Sequence, residues 1–259
     1  MYFEIFFIFI IGLSIGSFIN VCIYRLPLGV SLNKRSSCLS CNQKINFYDN
    51  IPIISFFLLK GRCRNCKKKL SYQYPLIEFL ISLSGVIFYL KYNLDYNFIV
   101  SFIFINALII IILTDYQHYI IPNEISYSYI IIGIIISFFN LSIFEISIIQ
   151  SLIGGLVSGL ILFITSKLFL LIRKKEGMGM GDIKLIAMIG FWMGVPSTIV
   201  VIIISALLGS LVGIFLILSK KMNKSQYLPY GSFIGITVIL VWFLDIFTGI
   251  NLSNIFIVN

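Results

Sequence analysis

Two aspartates and four cysteines are the residues of this chain whose types and spacing could do chemistry. Asp115 lies in "LTDYQHYIIPN", at the end of an apolar run, and Asp182 lies in "GMGMGDIKL", at the start of another. Ionisable side chains at membrane depth are costly and mark function by default. Two carboxylates about 3 Å apart cannot both ionise, so they share one proton. One can then draw a proton from water while the other protonates a carbonyl, which is the acid–base pair needed to hydrolyse an amide. Gly177, Gly179 and Gly181 precede Asp182. Lacking Cβ, they let an extended substrate backbone lie close. Asp182 opens a helix and Asp115 closes one, so the helix dipole favours the anion at Asp182. That assigns the base to Asp182 and the shared proton to Asp115. The alternatives are structural: an interfacial charge at Asp115 and a helix cap at Asp182.

Other acids fit this pattern less well. Glu78 is a third acid inside an apolar run, and Glu124 follows Pro122, where the first turn of a helix suits an acid. Asp245 falls on the opposite membrane face in the topology below and is left out of the site. His118 is the single histidine, and no serine occupies a G-x-S-x-G elbow. Gly177-x-Gly179 is not a dinucleotide fingerprint, because Asp182 stands where the third glycine belongs.

The cysteines pair as Cys38-x-x-Cys41 and Cys63-x-x-Cys66, with 21 residues between the pairs. Two such pairs can close a tetrahedral zinc site, and the metal would fold a loop that has little core of its own. Four thiolates leave no open coordination position, so the zinc would be structural. Disulfides or redox use are the alternative; a cytoplasmic location disfavours them. Cys22, inside the first apolar run, reads as a small apolar filler.

These groups must be positioned by helices in lipid. The 259-residue chain is 59% hydrophobic and 11% charged, against roughly 25% charged in soluble domains. Uncharged runs at 5–24, 96–114, 125–144 and 146–166 are each long enough to span a bilayer. A fifth, 185–219, is too long for one span and is broken at Gly194-Val195-Pro196. The fold class expected is an all-α polytopic membrane protein with about eight spans, near 3–23, 73–90, 97–114, 123–141, 147–172, 182–193, 198–219 and 232–250. No basic n-region precedes the first run, so it is not read as a signal peptide.

Residues 25–69 hold ten Lys/Arg and one Asp, which equals the net +9 of the whole chain. The positive-inside rule places this loop in the cytoplasm and both termini outside. The same side receives the 115–122 turn, the 173–181 loop and the 220–231 loop, so both aspartates meet the cytoplasmic interface. The basic excess is a topology signal and a match for anionic lipid rather than a nucleic-acid surface. Three segments follow: a first helix (1–23), a basic tetracysteine domain (24–72) and a membrane domain carrying both aspartates (73–259).

Together these blocks resemble the bacterial type IV prepilin peptidases, bifunctional leader peptidase/N-methyltransferases of the GxGD aspartic protease group. "GSFINVCIYRLP" (16–27) is similar to that family's first-span exit, and the two CxxC pairs running into "YPLIE" to its cytoplasmic domain. "LTDYQHYIIPN" and "GMGMGDIKL" carry its two aspartates, and "LPYGSFIGI" (228–236) is similar to a late loop that usually reads P-Y-G-P-F; here Ser232 replaces the proline. The resemblance implies an inner-membrane enzyme that cuts a short basic leader from prepilins or pseudopilins on the cytoplasmic side. It then methylates the new N-terminus with S-adenosylmethionine. It also implies that Asp115 and Asp182 are catalytic and that proteolysis needs no metal. Asn20, Arg25 and Glu78 are candidate methyltransferase or substrate contacts. Two other functions fit part of the sequence: a proton-coupled transporter using Asp115 and Asp182, and a zinc-anchored scaffold without chemistry.

Overall fold

The computed structural model describes residues 2–175, 177–221 and 227–248. Every named element in it is helical: α1 (Tyr2–Arg25), a 3-10 turn (Phe47–Asn50), α2 (Ile54–Leu58), α3 (Gln73–Tyr92), α4 (Tyr96–His118), α5 (Asn123–Phe138), α6 (Ile148–Arg173), α7 (Met180–Leu218) and α8 (Tyr230–Thr248). Helices dominate because apolar, hydrogen-bond-complete segments are what a bilayer accepts. Five helices (α1, α3, α4, α6 and α7) are long and apolar enough to cross a membrane, and α5 and α8 are shorter apolar helices. The protein is therefore a membrane protein.

The chain forms two compact units, residues 1–106 and 107–259. In the first, α1 lies directly on α3. A Cβ at Gly12 or Gly16 would come within 2.6 Å of the α-carbon of Ser82 or Glu78. Small residues four apart let two helix backbones approach where lipid gives no hydrophobic drive. Ser82 donates its hydroxyl to the Phe9 carbonyl, and Tyr89 donates to the Glu4 carboxylate. Cys22 is buried in this unit, as a filler should be.

In the second unit α6 and α7 meet backbone to backbone. A Cβ on Gly154 would sit 2.2 Å from the Gly190 carbonyl oxygen. Ser151 donates its hydroxyl to Phe191 O at 2.6 Å across the same seam. α6 begins with a reciprocal cap, Ser147 with Gln150, which satisfies two of the N–H groups left open at a helix start.

The region expected to hold two helices and an outer turn does hold two helices, named together as α7, which meet at a sharp break at Gly194, with φ 73° and ψ 177°. Glycine adopts that conformation without strain, so the chain redirects within one residue and needs no loop. Pro196 falls in the first turn after the break, where its missing N–H costs no helix bond. Thr198 ties the restart back to Gly194 O at 2.6 Å. Residue 176 of the expected 173–181 loop, 222–226 of the 220–231 loop and 249–250 of the last expected span lie outside the described residues.

Candidate functional site

Asp115 sits one turn before the end of α4 and is 5% exposed. Its Oδ2 accepts the backbone N–H of Ser232 at 2.7 Å and the Ser232 hydroxyl at 3.1 Å. The Gly231 N–H also faces the carboxyl. These are the first N–H groups of α8, which have no partner inside their own helix. The Asp115 carboxyl thus lies at a helix N-terminus, although the aspartate belongs to the C-terminal end of α4. Asp182 is the third residue of α7 and half-buried. Its carboxyl reaches back to the Gly179 N–H, as an acid in a capping box does.

The two carboxyl groups lie close enough for their charges to interact. Both therefore stand at helix N-termini, and the dipole argument that divided base from acid no longer separates them. Ile121 packs between the two sites: a Cβ on Gly181 would contact it at 3.4 Å, and one on Gly231 would overlap it at 2.7 Å. Lys184 donates to Asn123 Oδ1 and lies over the Tyr127 ring, so its charge is held beside the site.

The three glycines before Asp182 have different surroundings. A Cβ at Gly177 would come within 2.6 Å of the exposed Phe169 ring, which would have to turn aside. At Gly179 a Cβ would meet little except Asp182 Oδ2 at 3.6 Å, so the space beside that backbone is open. Of the three, Gly179 best fits a backbone-docking position.

Ser232, Gly231, Ile121 and Tyr230 were not among the residues expected at the site. Tyr230 is within electrostatic reach of Asp182 and hydrogen-bonds Ser205 at 3.1 Å. One signal pointed at them, the serine where the related loop carries proline. At Gly231 a Cβ would also lie 3.1 Å from the Asp115 carboxyl. Gly231→Ala is expected to cost about 1–3 kcal/mol of stability, read as a lower melting temperature; an unchanged melting temperature would refute this close fit.

Residues 38–69 form a second site, in the first unit. Each CxxC pair is the tip of a small hairpin, bridged at Ser37 with Lys44 and at Arg62 with Lys69. The two turns match in detail. Cys38 N–H donates to Gln43 O at 2.9 Å, and Cys63 N–H to Lys68 O at 3.0 Å. Asn42 and Lys67, each just after its pair, have φ of 55° and 59°. All four sulfurs lie within 4.8 Å of one another, with Cys38 and Cys66 Sγ 3.8 Å apart. Tetrahedral Zn–S bonds of about 2.3 Å put ligand sulfurs about 3.8 Å apart. The donor set and spacing fit a divalent metal such as zinc.

Electrostatics agree with that fit. The N–H groups of Ser40 and Cys41 hold the Cys38 thiol down to about 6. Cys41 gains a lowering bond from the Gln43 N–H, yet burial and the facing thiols push it up to about 11. Four thiols this close resist ionising together, and a divalent cation removes the conflict. Beside them Arg64 forks onto Asp49 at 2.6 and 2.8 Å, which holds the Asp49 carboxyl below its usual range.

Asn20, Arg25 and Glu78 line a cavity of ≈ 750 Å³ in the first unit, together with Tyr74 and Cys38. Arg25 is committed elsewhere: its guanidinium donates to the carbonyls of Ser31, Leu32, Lys34 and Arg35. It clamps the chain leaving α1, and this demand accounts for its burial. Glu78 Oε2 accepts the Ile53 N–H at 2.7 Å, pinning a β-branched residue at φ 60°. Asn20 donates to Tyr74 O at 3.0 Å, while its buried Oδ1 has no partner among the described residues.

Comparison with known proteins follows the same division. Residues 10–92 match the bacterial peptidase A24 N-terminal domain, and residues 102–214 match the type IV leader peptidase family. Among similar proteins, a prepilin leader peptidase/N-methyltransferase of Aeromonas hydrophila is 31% identical over 93% of this chain and 91% of its own. That of Aeromonas salmonicida is 30% identical over 93% and 91%, and that of Pseudomonas putida 28% over 90% and 88%. No solved structure matches.

Proposed function

The chain belongs to the type IV leader peptidase family, and from that premise we propose that it cleaves the leader of type IV prepilins or pseudopilins and then methylates the new N-terminus. The observation that carries the peptidase half is the pairing of Asp115 and Asp182 from separate helices, with the first held by the start of α8.

The dyad holds one proton between its two carboxyl groups. As water oxygen attacks the scissile carbonyl carbon, the ionised carboxylate takes a proton from it. The protonated carboxyl gives its proton to the carbonyl oxygen. As the resulting diol collapses and the C–N bond breaks, the protonated carboxyl gives its proton to the leaving nitrogen and the ionised carboxylate takes one from a diol hydroxyl, so the dyad again holds one. Because the two groups titrate together, the roles belong to the pair. A helix hides its own carbonyls, so the substrate must be extended at the cut. The open face of Gly179 beside Asp182 suits such a strand. A leader–helix junction lies at the membrane interface, where helix ends such as those carrying both acids can meet it. That face is the cytoplasmic one of the inner membrane, a reading supported by the Lys/Arg excess of 25–69, and the Gly194 break supports taking α7 as two crossings.

For methylation we assign the cavity of the first unit. S-adenosylmethionine, when bound, supplies an electrophilic methyl group on a cationic sulfur. A free buried acceptor at Asn20 Oδ1 and the Glu78 carboxylate suit a cationic ligand. The cysteine site is structural and holds zinc, and the dyad works without a metal.

The test uses purified protein in liposomes, a substrate with a short basic leader before an apolar helix, and S-adenosylmethionine. Mass spectrometry is expected to find loss of the leader and then gain of one methyl group. Uncleaved substrate, or ion flux without cleavage, would overturn the reading in favour of a scaffold or a transporter.

A further inference from the structure

Among the described residues, Ser232 is the one side chain shown hydrogen-bonding the buried aspartate of the dyad, and it comes from a point 117 residues away in the sequence. Its hydroxyl is shared between two acceptors, Ile112 O at 2.8 Å and Asp115 Oδ2 at 3.1 Å. A serine hydroxyl has one proton and two lone pairs. It can therefore donate to only one of these oxygens at a time. With Asp115 ionised, the hydroxyl donates to Oδ2. With the dyad's proton on the other oxygen, Oδ1, Oδ2 is still an acceptor and the hydroxyl can keep donating to it. In both states the Ser232 N–H stays on Oδ2 at 2.7 Å.

We infer that Ser232 is a positioning residue for the cleavage reaction: its N–H and hydroxyl together hold Asp115 Oδ2, leaving Oδ1 as the oxygen offered to water and to Asp182. The inference rests on the peptidase reading above. The geometry leaves Ser232 little freedom. It is 5% exposed, and its neighbour Gly231 lies so close to Asp115 that even a Cβ would touch the carboxyl. The start of α8 therefore forms a rigid seat, and its N–H and hydroxyl hold Oδ2 in both protonation states of the dyad. A proline there would supply neither the N–H nor the hydroxyl, so this chain anchors its aspartate with two bonds that the related P-Y-G-P-F loop cannot make through that residue.

The test compares wild type, Ser232→Ala and Asp115→Asn in one detergent with one prepilin substrate, measuring kcat, KM and melting temperature. Ser232→Ala keeps the N–H and removes the hydroxyl. It is expected to lower kcat about tenfold or more, the scale of a hydrogen bond to a charged group. KM should stay within about twofold, because the serine faces the dyad rather than the peptide. An unchanged kcat, a loss carried by KM, or a kcat loss matched by a collapse of the melting temperature would each overturn the inference. An active Asp115→Asn or an inactive wild type would sink the peptidase reading itself. A normal Ser232→Ala beside an inactive Asp115→Asn would sink only the role of Ser232.

Discussion

Asp115→Asn and Asp182→Asn are each expected to lower leader cleavage by about 10²–10⁴-fold, the usual contribution of a positioned acid or base. An amide matches the carboxyl in shape but can neither take a proton from water nor pass one to a carbonyl. The two losses should not add. A dyad holding one proton fails when either half is gone, so the double variant should be about as slow as either single one, as with other residues that act as a unit. Folding should survive. Asp115→Asn can keep a carbonyl oxygen for the Ser232 N–H, and Asp182→Asn remains a competent residue in the first turn of α7. Co-expression with a prepilin, read by gel shift and N-terminal mass, measures the effect. Full cleavage by either variant would rule out the dyad, and strictly additive losses would mean that the two acids act separately.

The second large effect is expected at the cysteines. Cys38→Ser with Cys63→Ser removes one ligand from each hairpin and should abolish stoichiometric zinc, measured by elemental analysis of the purified protein. In small domains the metal's binding energy, about 10–16 kcal/mol in zinc-finger peptides, is folding energy. Residues 31–70 contain one five-residue helix and one short 3-10 turn, so they have little else to order them. Rapid proteolysis within that segment is the expected sign of its collapse. Methylation should fall to background with it, because the segment lines the cavity assigned to the methyl donor. Cleavage should persist, because the dyad belongs to the other compact unit. Retained zinc, or loss of cleavage equal to the loss of methylation, would count against this separation.

Acidification should act in the same direction as the cysteine substitutions. Cys38 is held down to about 6 when folded, against about 8.5 for a free thiol. Its contribution to stability is therefore complete above the free value and is lost as pH falls through about 6. Protons and metal compete for the same thiolates. Zinc release on lowering the pH, with recovery on raising it, is the corresponding observation.

Much of this was legible from residue order. The ends of α1, α3, α4, α5 and α6 fall within a few residues of the expected spans, because a bilayer rejects charge and the apolar runs end where charge returns. The cysteine spacing pointed to a metal because paired thiols at a turn leave few other uses. Asp115 and Asp182 stood out because an acid beside lipid is costly. The α7 break was harder to read. A Gly-Val-Pro sequence signals a turn, but whether it makes a loop or a one-residue kink depends on the neighbouring helix. Here Gly194 separates two helices, and Tyr230 bonds Ser205 in the second while lying within electrostatic reach of Asp182 in the first, so the chain doubles back at the break. Arg25 was ambiguous for a related reason: a buried cation needs partners, and its carbonyl partners lie in a loop whose path no local pattern specifies.

By itself, the amino-acid order determined the solvent, the helices, the metal-binding residue types and the two acids able to share a proton. These follow from composition and short-range spacing, which operate within one element. Only the tertiary structure decided what surrounds those acids. Asp115 meets the start of α8, Ile121 fills the space between Gly181 and Gly231, and Ser232 becomes the partner of an aspartate 117 residues earlier. Such contacts depend on how separate helices pack, and packing is set by the sum of many weak, non-directional contacts across the unit rather than by any one stretch of chain.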